Sequence, residues 1–221
     1  LGDVAIPAQM SDERHVTLVC VVHDLDATVG GKFRMSFRNF GTGNTHSFGG
    51  EYLELEPGRR VRYTDRFDDP NLPGVMEVTV TLTPARHWSN RLGTPRNHRL
   101  WGGFFLEPGA RRVWFAGDSG YDKEIFRAVR ERCGAPDVAL LPIGAYEPRW
   151  FMKPMHMNPA EAVQVHQDVG ARTSVAMHWG TFRLTDEGRD DPVEALAAAR
   201  RAAGVDEQAF RILPPGGSLV T

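Results

Sequence analysis

Trp114-Phe115-Ala116-Gly117-Asp118-Ser119-Gly120-Tyr121 decides how this chain is read. An apolar strand, Val113 to Ala116, runs straight into Gly-Asp-Ser-Gly, so a carboxylate stands where a buried strand breaks into a tight loop. Flanking glycines let the backbone turn sharply and approach other groups closely. Ligand and metal groups collect at strand ends of layered α/β sheets. By itself Gly-Asp-x-Gly is a weak signal, because Asp is also a common turn former. Two further strand ends strengthen it. Val80 to Arg86 ends in His87-Trp88, and Thr173 to Met177 ends in His178-Trp179-Gly180. His, Asp and His at three strand ends is the ligand vocabulary of zinc.

Working outward, residues 84 to 221 alternate strands with helices. A hairpin is expected from Leu100 to Leu106 and Val113 to Ala116, across Glu107-Pro108-Gly109. Asp122 to Cys133 reads as a helix stopped by Gly134, with Ile125, Phe126 and Val129 on one face. Asn158-Pro159-Ala160-Glu161 carries an N-cap, a proline at the first helical position and a glutamate reaching back, and that helix runs to about Val169. Another helix starts at Asp191-Pro192 and ends at Gly204, and buried or short strands are expected at Asp137 to Leu141, Phe210 to Leu213 and Ser218 to Val220. This alternation argues an α/β layer structure.

Residues 1 to 83 differ. After a polar lead-in, strands are expected at 16–23, 32–40, 47–56, 59–66 and 75–83, with Glu56-Pro57-Gly58-Arg59 as a hairpin turn. Lys32 to Arg38 alternates polar and apolar strictly, as a strand with one wet face does. No convincing helix precedes residue 120. The fold class expected is therefore α/β (α+β overall): an antiparallel β segment, 1–83, joined to an α/β unit, 84–221.

Composition bounds the function. At 221 residues, 41% hydrophobic and 24% charged, the chain is ordinary for a soluble globular protein. A net charge of -2, made of -4 before Pro84 and +2 after it, gives no pull toward nucleic acid. Cys20 and Cys133 are far apart, which fits free thiols in a reducing, cytoplasmic setting. No apolar run is long enough for a transmembrane segment, and no signal peptide is visible after Leu1-Gly2-Asp3. A start without Met suggests a trimmed chain or a fragment.

Two resemblances add to this. Val29 to Phe37, His46 to Leu55 and Arg62 to Gly74 resemble the START-like (SRPBCC) helix-grip superfamily, in the branch named after activators of a heat-shock-protein ATPase. It implies a curved antiparallel sheet that holds an apolar ligand. Pro84 to Arg91, Leu100-Trp101-Gly102, Gly117 to Tyr121, Leu141 to Met152, His156 to Pro159 and His178 to Phe182 closely resemble the metallo-β-lactamase superfamily, in its N-acylphosphatidylethanolamine phospholipase D branch. That resemblance implies a zinc-dependent hydrolase acting on phospholipid-type phosphodiesters. By it His87 would bind one metal, Asp118 would bridge two, and His178 would bind the second. His156 would touch the substrate phosphate, so that Asp118 and His156 carry catalysis, with Tyr146, Arg149 and Trp150 shaping the substrate pocket. His166 would lie near the site, although a packed structural histidine is an equal reading.

One family motif is missing. Its remaining ligands come from a His-x-His-x-Asp-His run, and none of the eight histidines here forms a His-x-His pair. The chain reads as a chimeric composite of two incomplete domains, joined near Val80 to Pro84. Expectations follow: impaired catalysis, one zinc in place of two, and a homo-oligomer that covers exposed sheet faces. The alternative reading is a non-enzymatic apolar-ligand-binding module or an inert hybrid.

Overall fold

The computed structural model of the chain describes residues 4–5, 18–39, 42–90, 92–214, 217 and 219. The chain divides into two compact units, Leu1–Val80 with Glu107–Ala110, and Thr81–Leu106 with Arg111–Thr221.

The first unit is an antiparallel meander of β1 (Val4–Ala5), β2 (Leu18–Leu25), β3 (Lys32–Asn39), β4 (Thr45–Glu56) and β5 (Arg60–Phe67), each paired with the next. The alternation in Lys32 to Arg38 does what a two-residue period dictates and gathers aromatic rings on one face. Phe33, 6% exposed, packs edge-on against Phe48 and Tyr63, with ring centroids 6.4 and 5.4 Å away. The β4–β5 turn closes where expected: Arg59 N–H donates to the Glu56 carbonyl at 3.0 Å, and Gly58 takes φ 72°. From here β6 (Met76–Thr83) leads toward the second unit.

In the second unit β7 (Gly103–Pro108) pairs antiparallel with β8 (Val113–Phe115), and β8, β9 (Val138–Pro142), β10 (Thr173–Met177) and β11 (Phe210–Arg211) run parallel. Parallel neighbours need long crossovers, and helices supply them. α1 (Lys123–Cys133) links β8 to β9. Between β9 and β10 come the single turn α2 (Arg149–Met152) and α3 (Pro159–Val169). α4 (Asp191–Ala203) links β10 to β11. The core between sheet and helices holds Phe105, Trp114, Phe126, Leu141, Met157, Val165, Leu196 and Phe210, all fully buried.

Local chemistry sets the helix starts. The Asp122 carboxylate accepts from Glu124 N and Ile125 N, and Asn158 with Glu161 forms a reciprocal capping box. The sequence reading did not find α2, since four residues carry no periodic signal. Strand β7 begins at Gly103, not at Leu100. The expected lead-in over residues 1–15 and strand at 218–220 fall largely outside the described residues. No helix of the described residues is long and apolar enough to cross a membrane.

Candidate metal centre

Four side chains from four separate loops converge in the second unit. His87 follows β6, Asp118 follows β8, His156 lies between α2 and α3, and His178 follows β10. Donor atoms of His87, Asp118 and His156 all lie within 4.8 Å of one another. The His87 and His156 Nε2 atoms are 3.2 Å apart, and His178 Nε2 is 3.5 Å from Asp118 Oδ1. The His156 ring also lies between its neighbours, with centroids 5.0 Å from His87 and 5.4 Å from His178.

Ser119 explains how the Asp118 loop is held. Fully buried, its Oγ accepts the Arg86 N–H at 2.9 Å and donates to the Gly120 carbonyl at 2.8 Å. Gly120 N–H donates to Arg86 O, and Met157 N–H donates to Ser119 O, each at 2.8 Å. One loop therefore pins the neighbours of both His87 and His156. Gly117 has φ 68°, and a Cβ there would lie 2.5 Å from the Gly102 carbonyl oxygen, so the sharp exit from β8 requires glycine. His178 itself has φ 60°, a conformation non-glycine residues seldom adopt and one that collects at functional sites.

The donor set suits a divalent metal. His87 Nδ1 is 2.7 Å from the Trp88 carbonyl oxygen. A carbonyl can only accept, so Nδ1 carries the proton and Nε2 offers its lone pair to the cluster. Ligands about 2.0–2.2 Å from zinc at tetrahedral angles sit about 3.3–3.6 Å from each other, the spacing of His178 Nε2 and Asp118 Oδ1. Burial pushes the His156 pKa down to about 4, with Asp118 opposing and His178 and His87 assisting, so the ring is neutral at pH 7. Its buried Nδ1 has no hydrogen-bond partner among the described residues.

The sequence matches the family described as the Beta-lactamase superfamily domain over residues 9–179. The chain belongs to this superfamily. Its mixed α/β architecture is of the metallo-β-lactamase type. Over 107 residues it is 48% identical to N-acyl-phosphatidylethanolamine-hydrolyzing phospholipase D 1 of Caenorhabditis elegans, covering 48% of this chain and 30% of that protein. Over 133 residues it is 38% identical to the mitochondrial N-acyl-phosphatidylethanolamine-hydrolyzing phospholipase D of Saccharomyces cerevisiae, covering 59% of this chain and 28% of that one. A solved protein of Chromobacterium violaceum is 58% identical over 30% of this chain and 46% of its own, with a TM-score of 0.30. The chain thus spans less than a third of the length of these two curated relatives. The family match runs through residues 16–83, and none of these relatives carries a helix-grip name, so the START-like resemblance of that segment stands without support.

The other expected residues are placed as follows. Tyr146 is buried, Arg149 is engaged with protein groups, and Trp150 is 83% exposed on α2. His166 stands apart from the cluster: its Nδ1 contacts Ser174 Oγ at 2.8 Å and its ring lies against Phe210. The packed structural reading of His166 is the one the geometry matches. Sequence reasoning missed Ser119 and also Glu187, whose carboxylate accepts from Tyr146 N and Glu147 N at 3.2 and 3.0 Å. Ser119 lay inside the quoted motif, but nothing local marks the distant Arg86 as its partner.

Proposed function

We propose that this chain carries the metal centre of a metal-dependent hydrolase acting on phosphodiester bonds of N-acyl phospholipid-type substrates. The observation that carries the reading is the convergence of His87, Asp118 and His156, with His178 Nε2 3.5 Å from Asp118 Oδ1 and the His87 ring turned so that its lone pair faces the cluster. His87, Asp118 and His178 hold one zinc ion. His156 stays neutral through burial and is presented to the phosphoryl group, while Tyr146 and Trp150 border the substrate. A bound divalent ion supplies the Lewis acid for such a displacement. The substrate class follows the names of the two phospholipases D, and the family resemblance supports it.

Turnover by these 221 residues alone is low. The His-x-His-x-Asp-His run is absent from the sequence, leaving fewer ligands than a two-metal centre needs. Elemental analysis of purified protein, with hydrolysis of N-acylphosphatidylethanolamine under added zinc, tests both parts. About one zinc per chain and slow hydrolysis, both lost in Asp118→Ala, is the expected result. A wild-type chain without zinc overturns the metal reading, and robust turnover overturns the impairment.

A further inference from the structure

We infer that Arg149 is a positioning residue that sets the His156 imidazole in the cluster, working together with Glu161. The inference rests on the metal-centre reading for its consequence in turnover, though not for the geometry itself.

His156 needs an external brace. A histidine at a metal site is usually oriented by a hydrogen bond on its second ring nitrogen. His87 has that bond, to the Trp88 carbonyl. His156 does not: its Nδ1 is buried and without a partner among the described residues. Beyond the Nε2 contact with His87 at 3.2 Å, its ring direction comes from packing and from the backbone that carries it. That backbone belongs to residues 143–158, a long excursion between β9 and α3 that holds only the single turn α2.

Arg149 ties this excursion together. Its Nη1 donates to the His156 carbonyl at 2.9 Å and to the Tyr146 carbonyl at 3.3 Å. Its Nη2 donates to Glu161 Oε2 at 2.7 Å, and the same oxygen accepts the Asn158 N–H at 3.0 Å. The guanidinium therefore joins the loop before α2, the peptide of His156 and the first turn of α3. Both partners of the ion pair are largely shielded, at 24% and 19% side-chain exposure. A planar fork is required, because the three acceptors lie in different directions and a lysine ammonium is a compact point charge. With both Nη groups committed to the protein, Arg149 acts on the chemistry through His156.

The test uses metal-free protein with labelled histidine rings, read by proton–proton contacts from the His156 ring to those of His87 and His178. These contacts are expected in the wild type, weakened in Arg149→Lys and lost in Arg149→Met. Asn158→Ala, which unties the α3 cap without removing the guanidinium, serves as the control for lost stability and should keep them. In the zinc-loaded chain both Arg149 variants should retain zinc while kcat falls by about 10- to 100-fold, the scale of a misplacement near 1 Å. The inference is overturned if the Arg149 variants keep both ring contacts, or if Asn158→Ala loses them equally. Should Arg149→Met fail to fold, Arg149→Lys decides. Failure of the metal reading would show instead as a wild type without zinc, with its ring contacts intact.

Discussion

The Nε2 atoms of His87 and His156 face each other across 3.2 Å, although they come from residues 69 positions apart. The Trp88 carbonyl fixes the proton of His87 on Nδ1, so its Nε2 can only accept. In the metal-free chain the proton between the rings therefore sits on His156 Nε2. Burial keeps His156 neutral, so one donor meets one acceptor.

Removal of single side chains separates ligands from substrate contacts. His87→Ala, Asp118→Ala and His178→Ala should each lose bound zinc, read by elemental analysis after dialysis. His156→Ala should keep zinc and lose turnover. Loss of zinc in His156→Ala would make it a ligand and contradict the assignment.

Ser119→Ala removes the acceptor of the Arg86 N–H in a part-buried hydrogen bond. Loss of such a bond costs about 0.5–1.5 kcal/mol. Urea unfolding should show that loss, together with weaker zinc binding, because the same loop holds Asp118. Wild-type stability in the variant would mean that the hydroxyl is dispensable.

A Cβ on Gly144 would sit 2.1 Å from the His178 carbonyl oxygen. Gly144→Ala must push the end of β10 aside, and His178 already occupies a strained conformation at φ 60°. Zinc affinity should fall by at least about tenfold, the lower range for disturbed supporting groups. Calorimetric titration with zinc checks this, and unchanged affinity would show that the strand end yields without cost.

Burial lowers the pKa of His166 below its ordinary value. The unfolded chain then takes up the proton first as pH falls, so stability is full above about pH 6.5 and declines below it. One such group contributes a slope of at most about 1.4 kcal/mol per pH unit. Thermal unfolding between pH 4 and 7 should show a shallower decline in His166→Gln than in the wild type. Parallel curves would remove His166 from the acid response.

Much of the second unit could be read from local signals. A carboxylate after an apolar strand, histidines after two more, and Asn-Pro-x-Glu before a helix are set by neighbours in sequence, because caps, turns and periodicity act over a few residues. The alternation at Lys32 to Arg38 likewise gave the antiparallel meander. What local signals could not give was the company those residues keep. Ser119 meets Arg86, and His156 comes to stand beside His87, only because the fold brings their loops together, whereas Arg149 reaches Tyr146, His156 and Glu161 within its own stretch of chain. The first two contacts depend on connections tens of residues long, whose ends no short-range preference can place. The sequence by itself therefore singled out His87, Asp118 and His178 as candidate ligands and the strand ends on which they lie. The tertiary structure alone decided the spacing of His87 from His156 and of His178 from Asp118, since each partner is remote in the chain and only the folded sheet brings the two together.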